Sequence, residues 1–154
     1  MTPEVCITVE SPLSADALAL VEELDRDLLS RYPRQNIHGV ELQKLEGEQG
    51  FFVVARLAGW TVGCGAVRIL EPGIGEIKRM YVRPAARRRG VAQAVLTTLE
   101  KTAKTMGLHI LRLETGTRQP EANALYEKEG YQPIPCFGEY VTDPFSVCYE
   151  KTLR

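Results

Sequence analysis

Apolar and polar positions change rhythm several times along this chain, and each rhythm predicts an element. VCITV (Val5 to Val9) reads as a short strand that Ser11-Pro12 breaks. Ala17, Leu20, Val21, Leu24 and Leu28 then recur every three or four residues, which places them on one side of a helix capped by Ser14 and running to about Tyr32. Glu22, Glu23, Arg26 and Asp27 fall on its other side. Pro33 ends it, and a shorter helix is predicted around Val40 to Leu45. FFVVARL (Phe51 to Leu57), TVGCGAVRIL (Thr61 to Leu70) and GEIKRMYV (Gly75 to Val82), with turns at Ala58-Gly59 and Pro72-Gly73, predict three consecutive antiparallel strands. Val91, Val95, Leu99 and Ala103 restore the helical period up to Gly107. HILRLET (His109 to Thr115) is a buried strand that a right-handed crossover lays parallel to the strand ending at Val82. A helix from about Pro120 to Glu129, closed by Gly130, and strands near Tyr131 and Ser146 to Leu153 complete an α+β order. No repeat or linker divides the chain, so residues 1–154 read as a single domain.

Composition agrees with this pattern and narrows it. With 154 residues, 44% hydrophobic and 25% charged, one core suffices without a metal or disulfide staple. Cys6, Cys64, Cys136 and Cys148 form no CxxC pair and have no histidine at a zinc-ligand spacing, so reduced thiols and no metal are expected. The opening MTPEVCITVE lacks the features of a signal peptide, and no apolar run approaches the roughly 20 residues of a membrane helix. The expectation is a cytoplasmic protein with no membrane partner. A net charge of -1 argues against a global polyanion binder, yet the neutrality is a cancellation. Residues 76–90 hold six basic side chains against Glu76, whereas residues 1–50 hold four basic against ten acidic. The acidic half is either a surface that attracts cationic amines or a set of solvated helix faces.

The richest segment chemically is Arg87-Arg88-Arg89-Gly90-Val91-Ala92, between a strand and a helix. Glycine lets backbone approach a ligand closely, the helix start offers free N–H groups, and arginines add charge-assisted contacts to phosphate oxygens. Neither GxxxxGK[ST] nor a GxGxxG opening an N-terminal βαβ unit is present. Taken alone, the hexapeptide reads equally well as a solvated basic turn. The run Lys78, Arg79, Arg83, Arg87, Arg88 and Arg89 also raises a nucleic-acid footprint, but stacking aromatics other than Tyr81 are missing and strand alternation separates Lys78 from Arg79. Cys136 raises a nucleophile for ping-pong acyl transfer, with no placed histidine to activate it. His38 and His109 form no metal set.

Arg87-x-x-Gly90-x-Ala92 resembles the R/Q-x-x-G-x-G/A pyrophosphate loop of the GNAT superfamily of CoA-dependent N-acetyltransferases. It follows the strand EIKRMYV, and Glu114-Thr115 at a strand end and Ala122, Tyr126, Gly130 and Tyr131 continue the family order. The resemblance implies a mixed, twisted sheet of six to seven strands with about four helices, splayed between its fourth and fifth strands around acetyl-CoA. Backbone N–H groups of Arg88, Arg89, Gly90, Val91 and Ala92 would hold the pyrophosphate, with Arg87 beside them. The fourth-strand edge at Met80, Tyr81 and Val82 would pair with the pantetheine amides, as it would with another strand. An asparagine of the family is replaced by Gln119 here, with Asn123 one helical turn later as the other candidate.

The implied reaction is direct acetyl transfer to a primary amine of a small molecule or peptide. At pH 7 only about one alkylammonium in 2,500 is free base, a deficit of roughly 4.6 kcal/mol. A base must therefore act, and Glu76 stands where some members carry one; the alternative is a strand carboxylate paired with an arginine. Tyr126 matches the general acid that protonates the departing thiolate. Tyr32, His38, Glu139 and Tyr140 fall on the expected acceptor side, with Asp143 nearby. A homodimer is common in the family. Other readings are a non-catalytic acyl-CoA sensor and a nucleic-acid module using residues 78–89.

Overall fold

The computed structural model describes residues 4–154. The chain runs through β1 (Val5–Glu10), α1 (Ala15–Leu29), β2 (Gly50–Leu57), β3 (Trp60–Glu71), β4 (Ile74–Val82), α2 (Val91–Thr105), β5 (Ile110–Gly116), α3 (Pro120–Lys128), β6 (Gln132–Ile134) and β7 (Ser146–Thr152). All seven strands form one mixed sheet in the order β1-β2-β3-β4-β5-β7-β6. The predicted meander is β2 to β4, and β5 joins β4 in parallel after the α2 crossover. None of the described helices is long and apolar enough to cross a membrane.

Two predicted helices differ. α1 stops at Leu29 rather than near Tyr32, because Ser30 turns the chain: its N–H and hydroxyl both bond carbonyls of the last turn. Tyr32 is thereby released from the helix and buried. The Val40 to Leu45 segment forms only a 3-10 turn at Leu42–Leu45. Glu41 supplies no side-chain cap, and Leu45 alone is buried, so no apolar stripe holds a longer helix in place. The described residues thus contain three α-helices rather than about four.

The sheet has two unlike faces. α2 and α3 cover one with a continuous core that includes Val53, Val67, Ile77, Leu111, Leu113, Val95, Leu99 and Tyr126. On the other, Ala17, Leu20, Val21 and Leu24 of α1 pack against Phe52, Val54, Cys64, Ala66 and Tyr81. Fully burying each larger aliphatic side chain contributes about 1.5–3 kcal/mol, which selects this register of α1. Beyond α1 the second face turns polar at Arg68, Glu76 and Lys78, and the loops before β2 and before β7 lie over it.

The charge division is resolved by local pairing. Asp25 holds Arg79 at 2.6 Å and Glu23 holds Arg83 at 2.7 Å, while Glu22 and Asp27 pair with Arg26 and Arg31 along α1. The acidic face of α1 is therefore committed to ion pairs, and the basic run does not form one patch.

The expectation of four reduced thiols needs correction. Cys136 and Cys148 are joined as a disulfide, with their Cα atoms 5.2 Å apart. Ile134 faces Cys148 across β6 and β7, so the chain leaving β6 returns over its partner two residues later. Cys136 accordingly offers no thiol nucleophile. Cys6 and Cys64 are free, and burial pushes the Cys64 thiol up to about 12.

Candidate active site

β4 and β5 share hydrogen-bond register only from Ile74–Ile110 to Ile77–Leu113. Past that point β5 continues to Gly116 on β7 alone, and Lys78 to Val82 of β4 face an opening. A bulge directs the divergence. Between the pairs Cys64–Tyr81 and Ala66–Lys78, the two residues Arg79 and Met80 oppose the single residue Gly65, and Arg79 adopts φ 58. Gly65 is required here, since a Cβ would sit 2.9 Å from Met80 Sδ and 2.8 Å from Val95 Cγ1. Sequence alternation alone does not reveal such a bulge.

Met80, Tyr81 and Val82 lie on the opened edge of β4 as expected. The Tyr81 side chain points the other way, packing under α1 with its hydroxyl 3.3 Å from Glu23, so only its backbone serves the opening. Val82 O accepts a 3.0 Å bond from Arg87 Nε, which folds this arginine against β4. Arg88 and Arg89 are exposed. Gly90 caps α2 with φ 79, and a Cβ there would meet nothing within 4 Å. The first bond into α2 runs from Ala94 N–H to Gly90 O, leaving the N–H groups of Val91, Ala92 and Gln93 without partners inside the helix. The donor set fits a pyrophosphate: free amides at a positive helix end, open space over glycine, and two arginines alongside.

At the opposite wall, α3 begins after Gln119, whose Oε1 accepts from the Tyr32 hydroxyl at 3.2 Å. Asn123 donates to Gly116 O at 3.2 Å, but its Oδ1 is buried with no donor, as is Thr115 Oγ1. Two unpaired polar atoms beside the end of β5 are costly unless a ligand satisfies them. A pantetheine amide has the chemistry to do so. Tyr126 is 6% exposed in the same wall, packed on Tyr131 and Tyr149. Burial first, and the charge of Glu114 second, hold its hydroxyl well above the ordinary tyrosine range.

Glu76, expected as the base, is fully enclosed. Arg68 Nε donates to Oε1 at 2.8 Å, Tyr140 donates to Oε2, and Lys78 Nζ lies 3.7 Å away. Lys78 also donates to Tyr140 Oη at 2.7 Å and His38 O at 3.2 Å. Desolvation lowers the Lys78 pKa, opposed by the neighbouring carboxylates. Tyr140, expected among acceptor contacts, is 2% exposed and committed to this cluster, whereas Glu139 is exposed.

Glu114, half-buried, is the first residue of β5 past its pairing with β4. Desolvation pushes its pKa up to about 7, opposed by a 2.8 Å hydrogen bond from Ser146 and by the charges of His38 and Lys78. His38 Nε2 lies 2.6 Å from Asp143 Oδ2, while Asn36 Nδ2 and Phe145 N–H donate to Oδ1 at 3.0 and 2.8 Å. Burial opposes it, but these hydrogen bonds hold Asp143 below the usual carboxylate range. His38, Glu114 and Asp143 each present one ligand-type atom within 4.8 Å of the others. Among the described residues, the structure thus groups Glu114, His38 and Asp143, sets Glu76 and Tyr140 behind them, and holds Tyr126 in the core of the other sheet face, within range of the Glu114 charge. Glu114 carried a signal in the sequence, as an acid inside an apolar strand, though nothing there shows its burial. A surface groove of about 710 Å³ between α2 and β7, lined by Lys101, Lys104 and Lys151, contains none of these residues.

The family model described as "Acetyltransferase (GNAT) family" matches residues 17–131. An "IAA acetyltransferase" of Azospirillum brasilense is 44% identical over 98% of this chain and 99% of its own. A solved protein of Klebsiella pneumoniae subsp. pneumoniae MGH 78578 is 36% identical, with TM-score 0.81 over 97% of this chain and 98% of that one. A GNAT family acetyltransferase of Elizabethkingia anophelis, solved with acetyl-CoA bound, shares the fold at TM-score 0.69 and 15% identity, over 97% of this chain and 98% of that one. With the splayed sheet, the Gly90 cradle and these matches in agreement, the chain belongs to the GNAT family and is an acetyl-CoA-dependent acyltransferase.

Proposed function

We propose that the protein acetylates a primary amine of a small molecule or peptide by direct transfer in a ternary complex. The observation that carries this reading is the wedge between Lys78–Val82 of β4 and the end of β5, with Tyr126 on one wall and Glu114 on the other. The thioester would enter along the β4 edge, with its pyrophosphate on Arg88 to Ala92 and Asn123, rather than the engaged Gln119, offering an amide oxygen to pantetheine. Tyr126 would donate its proton to the thiolate. Its raised pKa makes that transfer harder in isolation, but a thiolate formed in the same desolvated wall is raised by the same cause.

For the base, the surroundings favour Glu114 over Glu76. A base works best when its pKa lies near the operating pH and it can reach the proton; Glu114 meets the first condition, and its place just past the β4–β5 pairing favours the second. Glu76 has both oxygens occupied and no exposed surface, so it acts by fixing Lys78 and Tyr140 beneath the acceptor side. No amine is singled out by the residues. The nucleic-acid reading is weakened because Arg79 and Arg83 are paired and Lys78 is buried.

The test is a thiol-release assay with acetyl-CoA over lysine, spermidine, an aminoglycoside, a tripeptide and IAA, the last because the Azospirillum relative carries it in its name. At least one of the four amines should release thiol in proportion to acetylated product. Tyr126→Phe should lower its turnover by about 100-fold or more while calorimetric acetyl-CoA affinity holds. Acetyl-CoA binding without thiol release would instead support a sensor, and unchanged turnover in Tyr126→Phe would remove its acid role.

A further inference from the structure

Proton balance sets a requirement that Glu114 and Tyr126 do not meet by themselves. An alkylammonium carries three N–H protons and the product amide one; the departing sulfur keeps one as thiol. As the C–N bond forms and the C–S bond breaks, each turnover therefore releases one proton. With an amine seated over it, a half-buried Glu114 needs a route by which to return to its charged form.

We propose that His38, oriented by Asp143, relays the proton collected by Glu114 to solvent beside Glu139. This inference rests on the acetyl-transfer reading above and on Glu114 as its base. One polar atom each of His38, Glu114 and Asp143 lie within 4.8 Å of one another, a separation that a single water molecule spans. The side chains form a gradient of exposure, from Asp143 at 4% through His38 at 12% to Glu139 at 60%. His38 Nε2 is fixed on Asp143, and its other nitrogen, Nδ1, lies 3.5 Å from Glu139 Oε1 on the open side. Asp143 is itself fixed by Asn36 and the Phe145 N–H, and the Tyr140 ring packs edge-on against His38 at 4.9 Å.

With Nε2–H held on Asp143, Nδ1 is the nitrogen that takes up the proton, delivered from Glu114 through water, and releases it beside Glu139. Asp143 stabilises the imidazolium that forms, and no redox partner or further reactant is needed. The charges around Glu114 suit such an exchange. Lys78 of β4 and His38 favour its anion, Asp143 opposes it, and Tyr126 of α3, Tyr32 and Tyr140 feel its charge.

The experiment compares wild type with His38→Gln and Asp143→Asn, using the fastest acceptor of the panel above at pH 7. Each is assayed in dilute buffer and with increasing imidazole. Wild-type turnover should be insensitive to imidazole. His38→Gln, which keeps a donor toward Asp143 but carries no proton, should lose about 10- to 100-fold in dilute buffer and regain most of it as imidazole rises, with KM for acetyl-CoA unchanged. Asp143→Asn should show a smaller loss with the same recovery, and it carries the test where His38→Gln melts below the assay temperature. Wild-type turnover in both variants, or a loss that imidazole does not repair in folded protein, overturns the relay while leaving acetyl transfer intact. A wild type that releases no thiol with any of the four amines overturns both readings.

Discussion

Glu114 is a residue whose surroundings work against its charged form. Its pKa of about 7 lies above the ordinary carboxylate value of 4.5, so between these two the folded chain binds more protons at Glu114 than the unfolded one. Stability from this group is greatest below about pH 4.5, falls as pH rises, and is lost above about pH 7. Glu114→Gln removes the charge but keeps the shape. The variant should melt higher than wild type at pH 8.5, by up to about 2–3 kcal/mol, and differ little at pH 4.5. Its turnover should fall by about 100-fold or more, and the rise of wild-type kcat/KM with pH through about 7 should vanish. Melting curves and rate profiles over pH 4.5–9 check both; a variant that retains the rate limb returns the base assignment to Glu76. The opposite signs separate a catalytic carboxyl from a packing one. The sequence shows Glu114 as an acid in an apolar strand, and it shows Glu76 likewise. Their environments were illegible because the side chains that enclose them arrive from afar, Tyr140 being 64 positions from Glu76.

Among the elements, the start of α2 was the most legible because its chemistry is local. Arg87 to Ala92 are consecutive, and a glycine before an amphipathic run is a signal contained within six residues. The structure adds the reason only glycine suits: φ 79 strains any side chain, and the space above it is open for ligand oxygens. Gly90→Ala should cost about 1–2 kcal/mol of stability and weaken acetyl-CoA binding about tenfold by calorimetry. Turnover at saturating acetyl-CoA should change little, since the substitution is remote from Tyr126. A proportionate loss of turnover without loss of affinity would show that this loop does more than hold phosphate. The β4 opening was less legible. HILRLET was readable as a parallel neighbour of β4, but where the two strands part depends on Arg79 and Met80 bulging against Gly65, a contact between strands. The absent Val40 to Leu45 helix has the same origin, since a short amphipathic segment needs a partner surface that its own pattern does not supply.

For the whole molecule, the near-zero net charge turned out to be built from pairs. The acids of α1 hold Arg79 and Arg83, so within the basic run of residues 78–89 the free cations narrow to the cofactor loop. The acceptor side has a different kind of closure. Residues 136–148 form a loop tied at both ends by the disulfide, and it carries Glu139, Tyr140 and Asp143 over the polar face of the sheet. Neither cysteine advertised this, because a spacing of 12 matches no motif and only the β6–β7 register brings the two together. Restricting a loop of this size in the unfolded chain stabilises the fold by about 3 kcal/mol. Reduction, or Cys136→Ser, should therefore lower the melting temperature and loosen the loop, whose first strand, β6, is three residues long, leaving it to the contacts of Tyr140 and Asp143. The consequence for function follows from what the loop holds. KM for the amine should rise several-fold as His38 loses its fixed Asp143, while calorimetric affinity for acetyl-CoA, bound on β4 and α2, should stay within about twofold. Equal loss of both affinities would mean that the loop supports the entire sheet rather than the acceptor side alone. Melting and amine saturation curves, with and without reductant, decide between these outcomes.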